Sequence, residues 1–125
     1  METVYNFING KQVPSRGTKA HPIYNPATGE QIRQVIMSTP DDVNEAIEVA
    51  HKAFADWSAT SPLRRARIMF KFKELLERDW DLLARLIVEE HGKVYSDACG
   101  ELTRGLEVVE FSCGIPHLLK GEFSE

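Results

Sequence analysis

One run near the carboxyl end, SDACGELTRGLEVVEFSCGI from Ser96 to Ile115, constrains the fold of this chain more than any other stretch. Ser96 followed by Asp97 is typical of a helix start, and a rotation of about 100° per residue spreads apolar or small side chains over about 220° of the helix circumference. The clearly polar sector holds only three residues: Thr103, Glu107 and Glu110. Because a surface helix needs a single apolar stripe, the run predicts a helix that is packed on most of its sides.

Arg104 lies on one of two apolar stripes along this helix. Three apolar residues fall within about 40° of it on the helical wheel: Val108, Phe111 and Ile115. The second stripe lies on roughly the opposite side and consists of Ala98, Leu102, Leu106, Val109 and Cys113. Two acids, Asp97 and Glu101, also fall inside the apolar arc. An arginine and two acids inside an apolar arc need an explanation, because charged side chains are costly to bury unless they are paired.

The amino-terminal part of the chain carries strand signals. Val4 to Phe7, Asn9-Gly10 and Lys11 to Val13 predict a hairpin, because Asn-Gly supplies the positive φ values of a type I′ turn. The stretch from Pro14 to Pro22 is predicted to be a loop. A proline-led turn, YNPATGE, then precedes a predicted strand from Gln31 to Met37. We therefore expect two short antiparallel strand pairs in this part of the chain.

Helix signals take over at Thr39. Thr39-Pro40 and the two aspartates that follow offer an N-cap, a proline at the first helical position and acids for the positive end of the helix dipole. Ser61-Pro62 repeats this start, Asp79 opens a third helix and Gly92 ends it. Together with the run that begins at Ser96, the pattern predicts four helices and about 60% helix, so the chain should be mainly α-helical.

Composition and charge exclude several classes of function. The 125 residues are 42% hydrophobic and 27% charged, which is typical of one soluble domain or of part of a larger one. A net charge of -4 argues against a general binder of nucleic acid, and no basic segment leads into an apolar core as in a signal peptide. No stretch is long and apolar enough to suggest a membrane span. The cytoplasm is the default compartment on these grounds.

The spacing of cysteine and histidine predicts neither a nucleophile nor a metal site. Cys99 and Cys113 would lie about 21 Å apart along one helix, too far for a disulfide, and are predicted to be reduced and buried. No base is visible beside Cys113 that would activate it. The four histidines lack the spacing of metal ligands: His21, His51, His91 and His117.

Four segments resemble the amino-terminal part of the aldehyde dehydrogenase superfamily: FINGKQV, YNPATGEQI, DDVNEAIEVAHKAFADW and EEHGKVYSDACGELTRGLEVVEF. The resemblance covers essentially the whole chain. The hairpin, the NPATGE turn and Gly92-Lys93 are widespread in the superfamily, whereas Gly100-Glu101, Arg104-Gly105 and Glu107 to Phe111 resemble one branch more closely. That branch is the CoA-acylating methylmalonate-semialdehyde dehydrogenases, which oxidise malonate and methylmalonate semialdehydes to acyl-CoA with NAD.

The resemblance implies an α/β parent protein, usually a homo-oligomer, of which this chain would be the amino-terminal fragment. Residues 1–38 would form β hairpins and turns. Residues 39–125 would form the helical part of the cofactor-binding domain, ahead of its main βαβ units. The nucleophilic cysteine, the general-base glutamate and the strands that bind NAD would all lie downstream. The fragment alone is therefore expected to bind no cofactor and to catalyse no hydride transfer.

The resemblance also implies a role for Arg104, because an arginine at this position of the branch helps to hold the free carboxylate of the substrate. A guanidinium suits this role, since its planar fork binds both carboxylate oxygens and stays charged. The structural alternative is an ion pair with Glu101 one turn earlier or with Asp97 two turns earlier. By the same resemblance, Glu101 and Tyr24 are candidate ligands of a structural monovalent cation.

A function of another class stays open at this point. The chain could be a short stand-alone helical interaction module without catalytic activity, using apolar helix faces that have no partner in the sequence. An open reading frame that continues past Glu125 into a glycine-rich nucleotide loop and a cysteine motif would favour the enzyme. A stop codon at that point would favour the module.

Overall fold

A computed structural model describes residues 2–122, in which five strands precede five helices. The strands are Glu2–Val4 (β1), Asn6–Ile8 (β2), Lys11–Val13 (β3), Ala20–Tyr24 (β4) and Gln31–Ile36 (β5). The helices are Pro40–Ala59 (α1), Pro62–Arg78 (α2), Trp80–His91 (α3), Tyr95–Cys113 (α4) and Ile115–Leu118 (α5), and they confirm the predicted helix content of about 60%. Two compact units divide between Ala59 and Thr60, so α1 is grouped with the strands.

The hairpin formed by β2 and β3 confirms the turn predicted from Asn-Gly. Asn9 and Gly10 have φ values of 54° and 75°, as a type I′ turn requires at both central positions. The two strands pair antiparallel, with Phe7 opposite Gln12. The first strand of the hairpin begins at Asn6 rather than at the predicted Val4, because Val4 is the last residue of β1, which belongs to a different sheet.

The second sheet corrects two predictions. β5 lies at its centre, between β1 and β4, and β1 runs parallel to β5 with Thr3 opposite Gln34, so the expectation of antiparallel pairs alone was wrong. The predicted loop from Pro14 to Pro22 was also wrong at its end, because β4 begins at Ala20 and pairs antiparallel with β5. Pro22 fits this strand since β4 is at the sheet edge, where a missing N–H need not break the ladder.

Asp42 ties the start of α1 to the loop before β4. Its carboxylate accepts from the Thr39 backbone N–H at 2.8 Å, while the Thr39 hydroxyl accepts from the Asp42 N–H at 3.3 Å, which together make a capping box. The Ser15 hydroxyl donates to the same carboxylate at 2.8 Å, and the Arg16 N–H donates at 3.2 Å. These hydrogen bonds, above all the one from the Thr39 backbone, lower the pKa of Asp42 to about 2.

Gly17, in the same loop, leaves no room for a side chain. A Cβ at this position would lie 2.0 Å from the backbone oxygen of Met37. We expect Gly17→Ala to lower the free energy of unfolding by roughly 1 to 3 kcal/mol, because backbone rather than a flexible side chain would have to move. Gly105→Ala is the control, since a Cβ on this helical glycine meets nothing within 4 Å and should be neutral or stabilising. Urea unfolding of the three proteins checks this, and equal stability of Gly17→Ala and the wild type would contradict it.

The second unit is built around α4, which packs against α2 and α3. The α2 start is as predicted, with Ser61 as N-cap and Pro62 in the first turn. Gly92 ends α3 in the left-handed conformation, with a φ of 78° and its N–H donating to Val88 at 2.8 Å. The residues buried between these helices are mostly small, which permits close approach: Ala66, Ala84, Ala98, Val109 and Cys113.

Both ends of α4 differ from the prediction. The helix starts one residue before Ser96, and its N-cap is Val94, which provides no side-chain hydrogen bond. It ends at Cys113 rather than continuing to Ile115, and a fifth helix, α5, follows Gly114. Pro116 in the first turn of α5 explains the break, because a proline cannot donate to the preceding turn and its ring clashes with that turn. The residues between 2 and 122 therefore hold five helices instead of four.

Only one of the two apolar stripes of α4 is covered. The stripe that ends in Cys113 faces α2 and α3 and is buried or half-buried. On the Arg104 side, Val108 and Phe111 are each 65% exposed. The prediction that α4 is packed on most sides is therefore not met within residues 2–122, because no further helix of this unit lies against its second face.

Candidate functional site

The exposed face of α4 presents Arg104 between apolar side chains. Val108 lies one turn after Arg104 and Phe111 two turns after it. The guanidinium lies back towards the start of the helix, since Nη1 would be 3.7 Å from a Cβ built on Gly100. This is the usual direction of a long side chain on a helix, over the turn before its own Cα. A Cβ at Gly100 would therefore be in ordinary van der Waals contact with the guanidinium.

Arg104 is not paired with either of the acids that precede it on α4. Glu101 instead forms an ion pair with Lys93, which lies in the connection between α3 and α4. The hydrogen bond from Lys93 lowers the pKa of Glu101, and the charges of Lys93, His91 and Arg104 act in the same direction. Asp97 is exposed and makes no ion pair with Arg104. Among residues 2–122, Arg104 therefore has no hydrogen-bond or ion-pair partner, and the predicted alternative of a structural ion pair is not formed.

The two candidate cation ligands lie in different units. Tyr24 is the last residue of β4 and is exposed, whereas Glu101 is on α4 with Lys93 as its partner. No group of three or more histidine, cysteine or acidic residues is placed to bind a metal in the described part of the chain. The assignment of Tyr24 and Glu101 to a monovalent cation stays a prediction.

Both cysteines are free thiols on α4. Cys113 is buried against the neighbouring helices, as predicted, and Cys99 is half-buried beside Tyr95. Within residues 2–122, neither thiol belongs to a group of histidine, cysteine and acidic residues that could hold a metal ion. Within this range no helix is long and apolar enough to cross a membrane.

A second polar cluster, which the sequence analysis missed, lies at the start of α4. Asp81 on α3 accepts hydrogen bonds from Arg85 Nε and from the Tyr95 hydroxyl, both at 2.8 Å. Arg85 also lies over the Tyr95 ring at 5.9 Å from its centroid, beside a cavity of about 390 Å³. The hydrogen bond to Asp81 raises the pKa of Tyr95 to about 12, because a phenolate could not donate it. The i, i+4 spacing of Asp81 and Arg85 indicates their ion pair in the sequence. Nothing in the sequence indicates that Tyr95 on α4 joins them.

These contacts explain why α4 begins at Tyr95. The phenol fixes the first helical residue to α3, whereas Ser96 and Asp97 are exposed and Ser96 caps no backbone N–H. The cluster satisfies its own charges: Asp81 is paired with Arg85, and the phenol is bonded to Asp81. Its role is therefore to join α3 to α4, whereas Arg104 is a candidate site residue on α4 for which residues 2–122 supply no partner.

Comparison with known proteins supports the family expected from the sequence. The model of the aldehyde dehydrogenase family matches residues 13–125. Malonate-semialdehyde dehydrogenase 2 of Bacillus anthracis is 50% identical over 121 residues, which make up 97% of this chain and 25% of that protein. The chain thus spans about a quarter of the length of the curated relatives that it matches.

Solved structures show the same fold. A protein from Sinorhizobium meliloti 1021 assigned as a methylmalonate-semialdehyde dehydrogenase, in complex with NAD, is 45% identical with a TM-score of 0.94 over 100% of this chain and 26% of its own. An NAD-dependent benzaldehyde dehydrogenase from Corynebacterium glutamicum is 27% identical with a TM-score of 0.89, over 98% of this chain and 27% of its own. The strands and helices described above are thus those of an aldehyde dehydrogenase-like fold, and the chain belongs to the aldehyde dehydrogenase family.

Proposed function

We propose that the complete protein containing this segment is an NAD-dependent, CoA-acylating dehydrogenase of malonate or methylmalonate semialdehyde. The overall reaction converts the aldehyde, NAD⁺ and the CoA thiol into an acyl-CoA, NADH and one proton. The identity of 50% to a malonate-semialdehyde dehydrogenase supports the substrate class. The enzyme would work in the cytoplasm as a homo-oligomer, without a nucleic-acid or membrane partner.

The observation that carries this proposal is the guanidinium of Arg104, which lies on an exposed apolar helix face and has no partner within residues 2–122. An arginine beside Val108 and Phe111 that served only the fold would be expected to pair with Glu101, and it does not. A substrate carboxylate would supply the missing partner through two parallel hydrogen bonds. The apolar neighbours would exclude water from this contact and so strengthen it.

The segment would contribute substrate binding and none of the reacting groups. Residues 2–122 contain no strand that runs through a glycine-rich turn into a helix, so none of them fits a pyrophosphate-binding turn and none is assigned to NAD. Neither Cys99 nor Cys113 is assigned as the nucleophile, since both are free thiols on α4 without an assigned base. The nucleophile, the general base, and the NAD and CoA sites would belong to other parts of the complete protein.

The interaction module remains the second candidate, because Val108 and Phe111 leave an exposed apolar surface on α4. The family match over residues 13–125 favours the enzyme, since it includes this helix rather than stopping before it.

The test of this function is an assay of the complete protein with malonate semialdehyde and NAD, with and without CoA. We expect NADH and CoA thioester in equal amounts, a rate that falls when CoA is omitted, and a kcat/KM at least about 10-fold above that for propanal, which lacks the carboxylate. An equal rate without CoA, with the free acid as product, would contradict the acyl-transfer step. Equal use of propanal would contradict carboxylate recognition.

A further inference from the structure

The ion pair between Lys93 and Glu101 lies next to Arg104 and does not include it. Glu101 is three residues before Arg104 on α4, a spacing at which an acid and an arginine normally attract each other on a helix. Lys93 binds Oε1 of Glu101 from the α3–α4 connection, and its side chain is only 15% exposed. The Glu101 carboxylate is thus engaged on the side of the connecting loop.

From this arrangement we propose that Lys93 is a positioning residue for substrate recognition, which holds the Glu101 carboxylate so that Arg104 stays free for the carboxylate of the substrate. The inference rests on the proposed function of Arg104. It assigns Lys93 no contact with the substrate, because Lys93 would act only through Glu101.

Two physical effects would follow from losing the Lys93 ammonium. Glu101, 39% exposed and one turn away, would become free to pair with Arg104, and the substrate would have to displace it. The carboxylate of Glu101 would also lose its neutralising partner and would repel an anionic substrate. Both effects weaken binding of a carboxylated aldehyde, and neither touches an aldehyde without a carboxylate.

The state of Glu101 supports this assignment. The hydrogen bond from Lys93 lowers the pKa of Glu101, as expected for a carboxylate held in an ion pair with an ammonium that is only 15% exposed. The Arg104 guanidinium lies over Gly100, where a Cβ would be 3.7 Å from Nη1, and so extends along the helix towards the turn that holds Glu101. With Glu101 held by Lys93, Arg104 is exposed and has no ion-pair partner among residues 2–122.

The experiment uses the complete enzyme with malonate semialdehyde and propanal as paired substrates. We expect Lys93→Met to lower kcat/KM for malonate semialdehyde roughly three- to tenfold, mainly through KM, and to leave propanal unchanged. Adding Glu101→Gln to Lys93→Met should restore the ratio of the two values, because the competing charge is gone. Lys93→Arg keeps the cation and should keep the ratio. Lys93→Gln replaces Lys93→Met if the latter does not give soluble protein.

Lys73→Met is the matched control. Lys73 on α2 pairs with Glu77 and, at 3.4 Å, with Glu110 of α4, so the variant also removes a charge and an ion pair at α4. It should lower the melting temperature without changing the substrate ratio. An unchanged ratio in Lys93→Met, equal losses on both substrates, or no rescue by Glu101→Gln would overturn the inference. If Arg104→Leu also leaves the ratio unchanged, the proposed function of Arg104 fails; if only the Lys93 variants leave it unchanged, the positioning role alone fails.

Discussion

Arg104→Leu in the complete enzyme is expected to lower kcat/KM for malonate semialdehyde by roughly 10- to 150-fold, because a bidentate, charge-assisted contact is worth on the order of 1.5 to 3 kcal/mol. Propanal has no carboxylate to lose and should be oxidised at the wild-type rate. Leucine keeps apolar bulk beside Val108 and Phe111, so the variant should fold. The measurement is the ratio of the two kcat/KM values in wild type and variant.

Arg104→Lys separates charge from geometry at the same position. It should recover only part of the loss, because an ammonium attracts the carboxylate but cannot form the planar fork. An unchanged substrate ratio in Arg104→Leu, together with a lower melting temperature, would reject the substrate role and assign Arg104 to the fold.

Asp42→Ala is expected to give the largest loss of stability among single substitutions in the strand-containing unit. Asp42 is 5% exposed and accepts hydrogen bonds from Thr39, Ser15 and Arg16, so its removal leaves several donors without an acceptor. We expect the thermal midpoint of this chain, followed by circular dichroism, to fall by about 10 °C. Asp41→Ala is the control, because Asp41 is the exposed neighbour in the same helical turn and removes the same charge. Equal midpoints for the two variants would contradict the role of Asp42.

The pH dependence of the same site has a definite sign. The pKa of Asp42 falls from 3.8 to about 2 on folding, so its contribution is complete above pH 4 and is lost as the pH falls towards 2. Asp42→Asn removes this titration. The wild type should therefore lose more of its thermal stability than Asp42→Asn between pH 4 and pH 2. Parallel curves for the two proteins over this interval would show that Asp42 is not the titrating group.

Local signals in the sequence predicted the parts of the fold that local interactions determine. Asn9-Gly10 predicted the hairpin because its backbone needs positive φ values, and Gly92 predicted a helix end for the same reason. Thr39-Pro40 and Ser61-Pro62 predicted the helix starts because their hydrogen bonds lie within one turn. In each case all the partners are a few residues apart.

The predictions that were wrong concern features that depend on contacts between residues far apart in the chain. β1 pairs with a strand about thirty residues later. The three residues of β1 alone carry no local signal that predicts this pairing. Pro22 argued against a strand at β4, because a proline is tolerated only in a strand at a sheet edge and the sequence does not show where that edge lies. The start of α4 is set by Tyr95 bonding to Asp81, a contact between two helices. The local signal of Ser96 and Asp97 therefore placed the start one residue too late.

At the candidate site, too, local features were predicted from the sequence and contacts between elements were not. Periodicity identified Arg104 as a charged residue on an apolar face, and the family resemblance supplied its role. Whether Glu101 neutralises it depends on Lys93, which belongs to a different element and was considered only as part of a superfamily motif. The sequence thus identified the residue, and the structure determined which of its possible partners is already engaged.

The most direct test is a crystal structure of the complete enzyme with NAD and malonate, a stable dicarboxylate that carries the same carboxylate as the substrate. The account predicts that two guanidinium nitrogens of Arg104 lie about 3 Å from the two oxygens of one malonate carboxylate, while Glu101 stays on Lys93. Malonate bound by another cation, with Arg104 paired to a carboxylate of the protein, would contradict it.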